Sequence, residues 1–170
     1  MDITVAKTAG FCFGVKRAVE KLELEAEKSP VSTLGPIIHN AHVVEKLKKK
    51  GVESINNLNA LKSGVRLAIR THGVGRQITD EIKRRGIECI DLTCPFVKKI
   101  HNIVSQKYKD GYKIVIAGDE NHPEVQGING WCNMSAFIAA SPESLKGKLS
   151  YGDKVCAVSQ TTLDRATFDS

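Results

Sequence analysis

A chain of 170 residues has the length of one ordinary domain, and a domain of that size buries roughly 70% of its unfolded surface, enough for a core that needs no staples. Hydrophobic residues make up 41% and charged residues 26%, near globular averages, which excludes a disordered chain, a collagen and a small disulfide scaffold. The net charge of +6 is spread along the chain and aromatics are only 5%, so stacking platforms for nucleic acid are few and an anionic small molecule suits the charge equally well. The longest uncharged stretch, near residues 125 to 142, is broken by Asn, Gly and Ser, so no membrane span is expected. The first residues read as a strand rather than a basic signal, which makes the cytoplasm the expected location.

In chain order, the alternation in Ile3-Thr4-Val5 predicts a strand, and Val15, Ala18, Val19, Leu22 and Ala26 predict a helix stopped by Ser29-Pro30. Further on come a strand over 31–34, a helix over 41–50 ended by Gly51, a short element over 58–61, a strand over 65–70, a helix running to Gly86 and a strand over 87–91. Pro95 suits the first turn of a helix carrying Phe96, Val97, Ile100 and Val104, which Gly111 ends. A strand over 112–117 and weaker segments over 136–140 and 154–159 complete the pattern. Strands alternating with helices imply an α/β fold with largely parallel sheets. Lys48-Lys49-Lys50 reads as a solvated helix end.

The chain also matches itself. Cys12-Phe13-Gly14-Val15-Lys16-Arg17 and Cys94-Pro95-Phe96-Val97-Lys98-Lys99 share the pattern C-x-x-V-K-[KR]. Gly35 to His39 parallels Gly118 to His122, and Ala60-Leu61-Lys62 before Arg70-Thr71-His72-Gly73 parallels Ser144-Leu145-Lys146 before Ser159-Gln160-Thr161-Thr162. Three matches in one order predict two modules of about 85 residues, each a small α/β layer. The boundaries are 1–93 for the first, with the Cys12 loop near the centre, and 94–170 for the second.

Ligands of parallel α/β sheets bind beyond the carboxyl ends of strands, where helix N-termini offer unpaired N–H groups. Cys12, His39, His72, Cys94, His122 and Thr161 are all expected there. A cysteine at a helix N-terminus is disposed to be a thiolate, suited to iron–sulfur ligation or nucleophilic chemistry, against the plainer role of a buried packing residue. The three histidines sit in turns and suit a phosphate or a metal. Glu124, two residues after His122, is a candidate proton donor. Five cysteines with no C-x-x-C pair argue against disulfides and compact zinc knuckles. Cys89 and Cys156 read as core, Cys132 is given no function, and His42 and His101 read as solvated or locally satisfied on helices.

Six stretches together resemble the LytB/IspH family of 4-hydroxy-3-methylbut-2-enyl diphosphate reductases: Ala9 to Val15, Gly35 to Asn40, Arg70 to Val74, Asp91 to Pro95, His122 to Gly127 and Ser159 to Thr162. The resemblance covers essentially the whole chain. It implies an α/β trefoil of three modules around a 4Fe–4S cluster, with this chain as two repeated parallel-sheet modules and the third absent. It makes Cys12 and Cys94 cluster ligands, with the third cysteine expected beyond Ser170. His39, His72 and His122 would bind the substrate diphosphate, Glu124 would deliver protons, and Thr161 would complete the path to the substrate hydroxyl, with Gln160 supporting that loop. The implied reaction removes the allylic hydroxyl to give isopentenyl and dimethylallyl diphosphate in isoprenoid biosynthesis, with reduced ferredoxin or flavodoxin as electron donor. This chain alone is expected to be inactive. The competing readings are a non-catalytic phosphate or nucleic-acid binding module and a zinc-dependent hydrolase.

Overall fold

In the computed structural model, residues 2–6 and 9–169 are described. The seven strands among the described residues form two parallel sheets. The first holds β1 (Val31–Leu34), β2 (Glu53–Ile55), β3 (Arg66–Ile69) and β4 (Cys89–Asp91) in the order β2-β1-β3-β4. The second holds β5 (Lys113–Ala117), β6 (Phe137–Ala139) and β7 (Val155–Ser159) in the order β6-β5-β7. Register follows from pairs such as Ser32 with Leu67, Leu67 with Cys89, and Ile114 with Cys156.

Helices α1 (Phe13–Lys28), α2 (Ala41–Lys49), α3 (Arg76–Arg84), α4 (Pro95–Lys109), α5 (Pro123–Asn129) and α6 (Arg165–Asp169) alternate with these strands. Local chemistry sets their ends. Asn40 caps α2 by accepting from Val43 N at 3.1 Å, and Pro95 occupies the first turn of α4, where its missing N–H costs nothing. Gly51 and Gly111, at φ +83° and +80°, follow the ends of α2 and α4 in the left-handed region.

The first sheet is covered on both faces, and the side-chain alternation of β3 shows how. Ala68 packs with Ala18, Leu22, Val31 and Leu47, while its neighbours Leu67 and Ile69 pack with Leu34, Leu58, Val74 and Ile82. Leu22 and Leu47 are fully buried, and each such leucine contributes about 1.5–3 kcal/mol. In the second sheet Ile114, Ile116 and Val158 pack with Val104, Val125 and Ile128.

The sequence repeat has a structural counterpart. In each sheet the strand after the cysteine-led helix is flanked by the next two strands, β1 by β2 and β3, β5 by β6 and β7. Short 3-10 turns at Leu58–Ala60 and Pro142–Leu145 occupy equivalent places before β3 and β7.

One expected strand is absent. Ile3 and Val5 are 76% and 73% exposed, and residues 3–5 pair with no strand among the described residues. An extended segment becomes a strand only through a neighbour's ladder, so Cys12 begins a helix without following a strand. Several short elements went unread: β2, a three-residue edge strand, the turns of α5 and α6, and the 3-10 turns at Gly130–Cys132 and Pro142–Leu145.

Candidate functional site at the strand carboxyl ends

Cys12 and Cys94 are the N-caps of α1 and α4, and neither uses its side chain as a cap. The uncapped amides of a helix's first turn offer unpaired N–H groups and positive potential to a ligand carrying negative charge at such a position. The two helix starts meet. A Cβ built on Gly14, the second residue of α1, would fall 2.7 Å from the Cys94 sulfur, so the Cys94 thiol lies against the first turn of the helix that Cys12 opens. Only glycine admits that approach.

The other cysteines are unsuited to ligation. Cys89 packs beside Leu67 and Ile82, and burial, assisted by the charge of Asp91, pushes its thiol up to about 11. Cys132 is fully buried and donates to Asn129 O at 3.3 Å, its thiol also pushed up by burial. Cys156 packs against the core of the second sheet.

His39, His72 and His122 come from three different strand ends and converge. Their ring centroids lie 4.8, 6.0 and 5.5 Å apart, and one nitrogen from each falls within 4.8 Å of the others. His122 is the N-cap of α5, and its Nδ1 accepts from Glu124 N at 3.2 Å. That bond assigns the proton of the neutral ring to Nε2, leaving a donor rather than a lone pair. His72 is pushed down to about 4, first by burial and then by its electrostatic coupling to His39, Arg70 and His122. Buried Nδ1 of His72 and Nε of Arg70 have no hydrogen-bond partner. Crowded N–H donors beside the Arg70 guanidinium are the complement of an anion. A metal would need the lone pair that the His122 tautomer withholds.

Beside this cluster, Glu124 is 1% exposed. Both its oxygens accept from Thr161, from the backbone N at 2.7 Å and from Oγ1 at 2.9 Å. The carboxyl group is thus fixed by an exposed residue just past the end of β7, whose hydroxyl is able both to donate and to accept. Gln160 supports the same loop: its Oε1 accepts from Asp119 N at 3.1 Å and its Nε2 donates to Thr162 Oγ1 at 2.9 Å.

Sequence reasoning missed the residues that hold these turns together. Thr71 donates from its N and Oγ1 to Ile37 O, at 3.4 and 3.1 Å, tying the His72 turn to the His39 turn. Asp91 accepts from Thr93 N at 3.0 Å and from Lys98 Nζ at 2.7 Å, setting the bend before Cys94.

His101 corrects the expectation of a solvated or locally bonded side chain. It is 4% exposed, stacks on Trp131 at 5.4 Å between centroids and leaves Nε2 unpartnered. A Cβ on Gly73 would fall 2.5 Å from its Cε1. Trp131 in turn donates from Nε1 to Val74 O at 3.0 Å, so His101 and Trp131 clamp the His72 loop from the second half of the chain. Helical periodicity marks the buried face of α4, and His101, four residues after Val97, lies on it. His42 is exposed, as expected.

A family model for the LytB protein matches residues 3–170. The chain belongs to the LytB family. It is 52% identical over 168 residues to the 4-hydroxy-3-methylbut-2-enyl diphosphate reductase of Caldanaerobacter subterraneus subsp. tengcongensis, covering 96% of this chain and 58% of that relative. Against the enzyme of the same name from Clostridioides difficile the identity is 43%, over 96% of this chain and 60% of the relative. Among solved structures, the E-1-hydroxy-2-methyl-but-2-enyl-4-diphosphate reductase from Plasmodium falciparum superposes with a TM-score of 0.89 at 34% identity, covering 96% of this chain and 52% of that one. A structure of (E)-4-hydroxy-3-methyl-but-2-enyl diphosphate reductase, described as the terminal enzyme of the non-mevalonate pathway, gives 0.82 at 39% identity, covering 98% and 60%. This LytB chain therefore spans somewhat over half the length of the relatives it matches, and its parallel α/β architecture is part of their trefoil.

Proposed function

We propose that this LytB chain carries the diphosphate-binding and proton-delivery parts of a 4-hydroxy-3-methylbut-2-enyl diphosphate reductase, built as two modules over 1–93 and 94–170. The observation that carries the proposal is the convergence of His39, His72 and His122, with the Nε2 proton of His122 assigned by its bond from Glu124 N. Imidazole N–H donors grip the diphosphate, whose charge also relieves the repulsion among these rings and Arg70. Held there, the substrate presents its allylic hydroxyl toward Thr161; Glu124, once protonated from solvent, reverses its bond and donates to Thr161 Oγ1 as that hydroxyl gives its own proton to the departing oxygen. The balanced reaction consumes two electrons and two protons, breaks the C–O bond, releases water and yields isopentenyl and dimethylallyl diphosphate.

Cys12 and Cys94 fit two corners of a 4Fe–4S cluster, because both thiols are uncapped and Cys94 abuts the first turn after Cys12. When bound, such a cluster supplies electrons and a Lewis-acidic iron for the hydroxyl. The resemblance to the reductases calls for a third thiolate, which the remaining described cysteines, taken up in core packing, do not supply, and these 170 residues by themselves are proposed to be inactive. Reduced ferredoxin or flavodoxin is the proposed electron source, and the cytoplasm the proposed location.

The test uses the protein extended to the length of the matched relatives, reconstituted anaerobically with iron and sulfide. With a reduced viologen dye it should convert the allylic diphosphate to both products. Zinc in place of iron, or no turnover by a protein holding a full cluster, would overturn the proposal.

A further inference from the structure

The peptide group joining Thr93 to Cys94 is held at both its polar atoms by other segments. Its N–H, on Cys94, donates to Thr71 O at 2.9 Å, in the turn that carries His72. Its carbonyl, on Thr93, accepts from Arg17 Nη2 at 2.7 Å, and the same nitrogen reaches Leu92 O at 3.5 Å. Arg17 belongs to α1, the helix that Cys12 opens. One guanidinium thus crosses 76 residues of sequence to fix the backbone beside the second thiol from the helix of the first.

We infer that Arg17 is a positioning residue that sets the separation and orientation of the Cys12 and Cys94 thiols. A charge-assisted bond to a carbonyl is about twice as strong as a neutral one. The planar fork holds direction as well as distance, which a lysine ammonium on a flexible stem does not. The side chain is half-buried with its Nε shielded and unpartnered, so its strong contacts all run to this one turn. Gly14 supplies the other half of the device, since the Cys94 sulfur sits where a side chain on α1 would be. With Arg17 removed, Thr93 O is left without its partner, and α1 keeps only packing contact with the Cys94 turn.

This inference rests on the reading that the two thiols share one metal–sulfur group, but its test does not. The 170-residue chain is treated with a short bis-maleimide, and Cys12–Cys94 cross-links are quantified by peptide mass spectrometry. The variants are Arg17→Met, which keeps the stem and loses the donors, Arg17→Lys, which keeps the charge, and Arg66→Met as control. Arg66 pins the far end of α1 by donating to Glu25 Oε2 at 2.7 Å and Glu25 O at 2.6 Å, so its loss should destabilise the helix without touching the thiols.

Cross-linking in Arg17→Met should fall at least about tenfold, as for a lost charged hydrogen bond. Arg17→Lys should be intermediate and Arg66→Met unchanged. Wild-type cross-linking in a folded Arg17→Met chain, or an equal fall in the Arg66→Met control, would overturn the inference. Should Arg17→Met not fold, the Arg17→Lys and Arg66→Met pair decides by the same criteria. Expected cross-linking in a full-length protein that takes up no iron would refute the cluster reading and leave the role of Arg17 standing.

Discussion

Thr161 donates two hydrogen bonds to Glu124, one from its backbone N to Oε1 at 2.7 Å and one from its hydroxyl to Oε2 at 2.9 Å. The pair joins the end of β7 to the start of α5 and fixes a carboxyl group, buried from water, on the residue whose backbone N–H bonds His122 of the histidine cluster. An amide can keep this geometry, with its oxygen accepting from the Thr161 N and its NH₂ donating to the hydroxyl. Glu124→Gln in the complete enzyme should therefore fold, keep substrate binding within a few-fold and lose about 10² to 10⁴ in turnover. Single-turnover rates measured beside substrate affinity separate the two effects, and a turnover close to wild type would remove Glu124 as proton donor.

Gly73 carries the His72 turn at φ +70°, with a Cβ position 2.5 Å from His101 Cε1. Gly73→Ala adds left-handed strain and a clash with a buried ring, and should cost about 1–3 kcal/mol. Urea unfolding should show the loss. Gly51→Ala, at a similar φ with nothing within 4 Å of its Cβ, should cost less, because it meets strain without a clash.

His101 is pushed down from 6.5 to about 4, chiefly by burial, with Lys98 lowering and Asp91 raising it. The unfolded imidazole takes up a proton below 6.5 that the folded one refuses until about 4. Stability is therefore full above 6.5 and falls as pH drops through that window, by about 2–3 kcal/mol from this residue. His101→Phe keeps a ring against Trp131 and Gly73 and should reduce the pH dependence of unfolding free energy between 6.5 and 4, leaving the share of His72, which is also held near 4. An unchanged slope would show that His101 is not its source.

A cluster held by two thiolates lacks a ligand, and Phe13 and Phe96, next to those thiolates, are 66% and 65% exposed. After anaerobic reconstitution and desalting, the 170-residue chain should lose its iron while the longer protein retains it. Equal retention and activity in both would show that the two-thiolate site is sufficient.

Much of this architecture was legible because its signals are local. Proline and glycine at the ends of α2 and α4, the apolar runs of β3 and β5, and the paired C-x-x-V-K patterns each depend on a few adjacent residues. The histidine turns were legible as positions, since each follows a strand. What joins them was not. The bonds from Arg17 to Thr93 O and from Thr71 to Ile37 O pair side chains with distant backbone atoms, which leave no trace in residue spacing. The strand expected over 3–5 failed for a related reason: alternation records which residues can form a strand, while pairing depends on a neighbour.

The central claim is that the three converging histidines bind a diphosphate, and titrating the 170-residue chain with inorganic pyrophosphate while following the imidazole NMR signals tests it directly. Five histidines serve as internal probes. The account predicts that His39, His72 and His122 shift together and saturably, that His72 takes up proton as its repelling cations are offset, and that exposed His42 stays still. Shifts confined to His42, or no saturable change at the three, would contradict it.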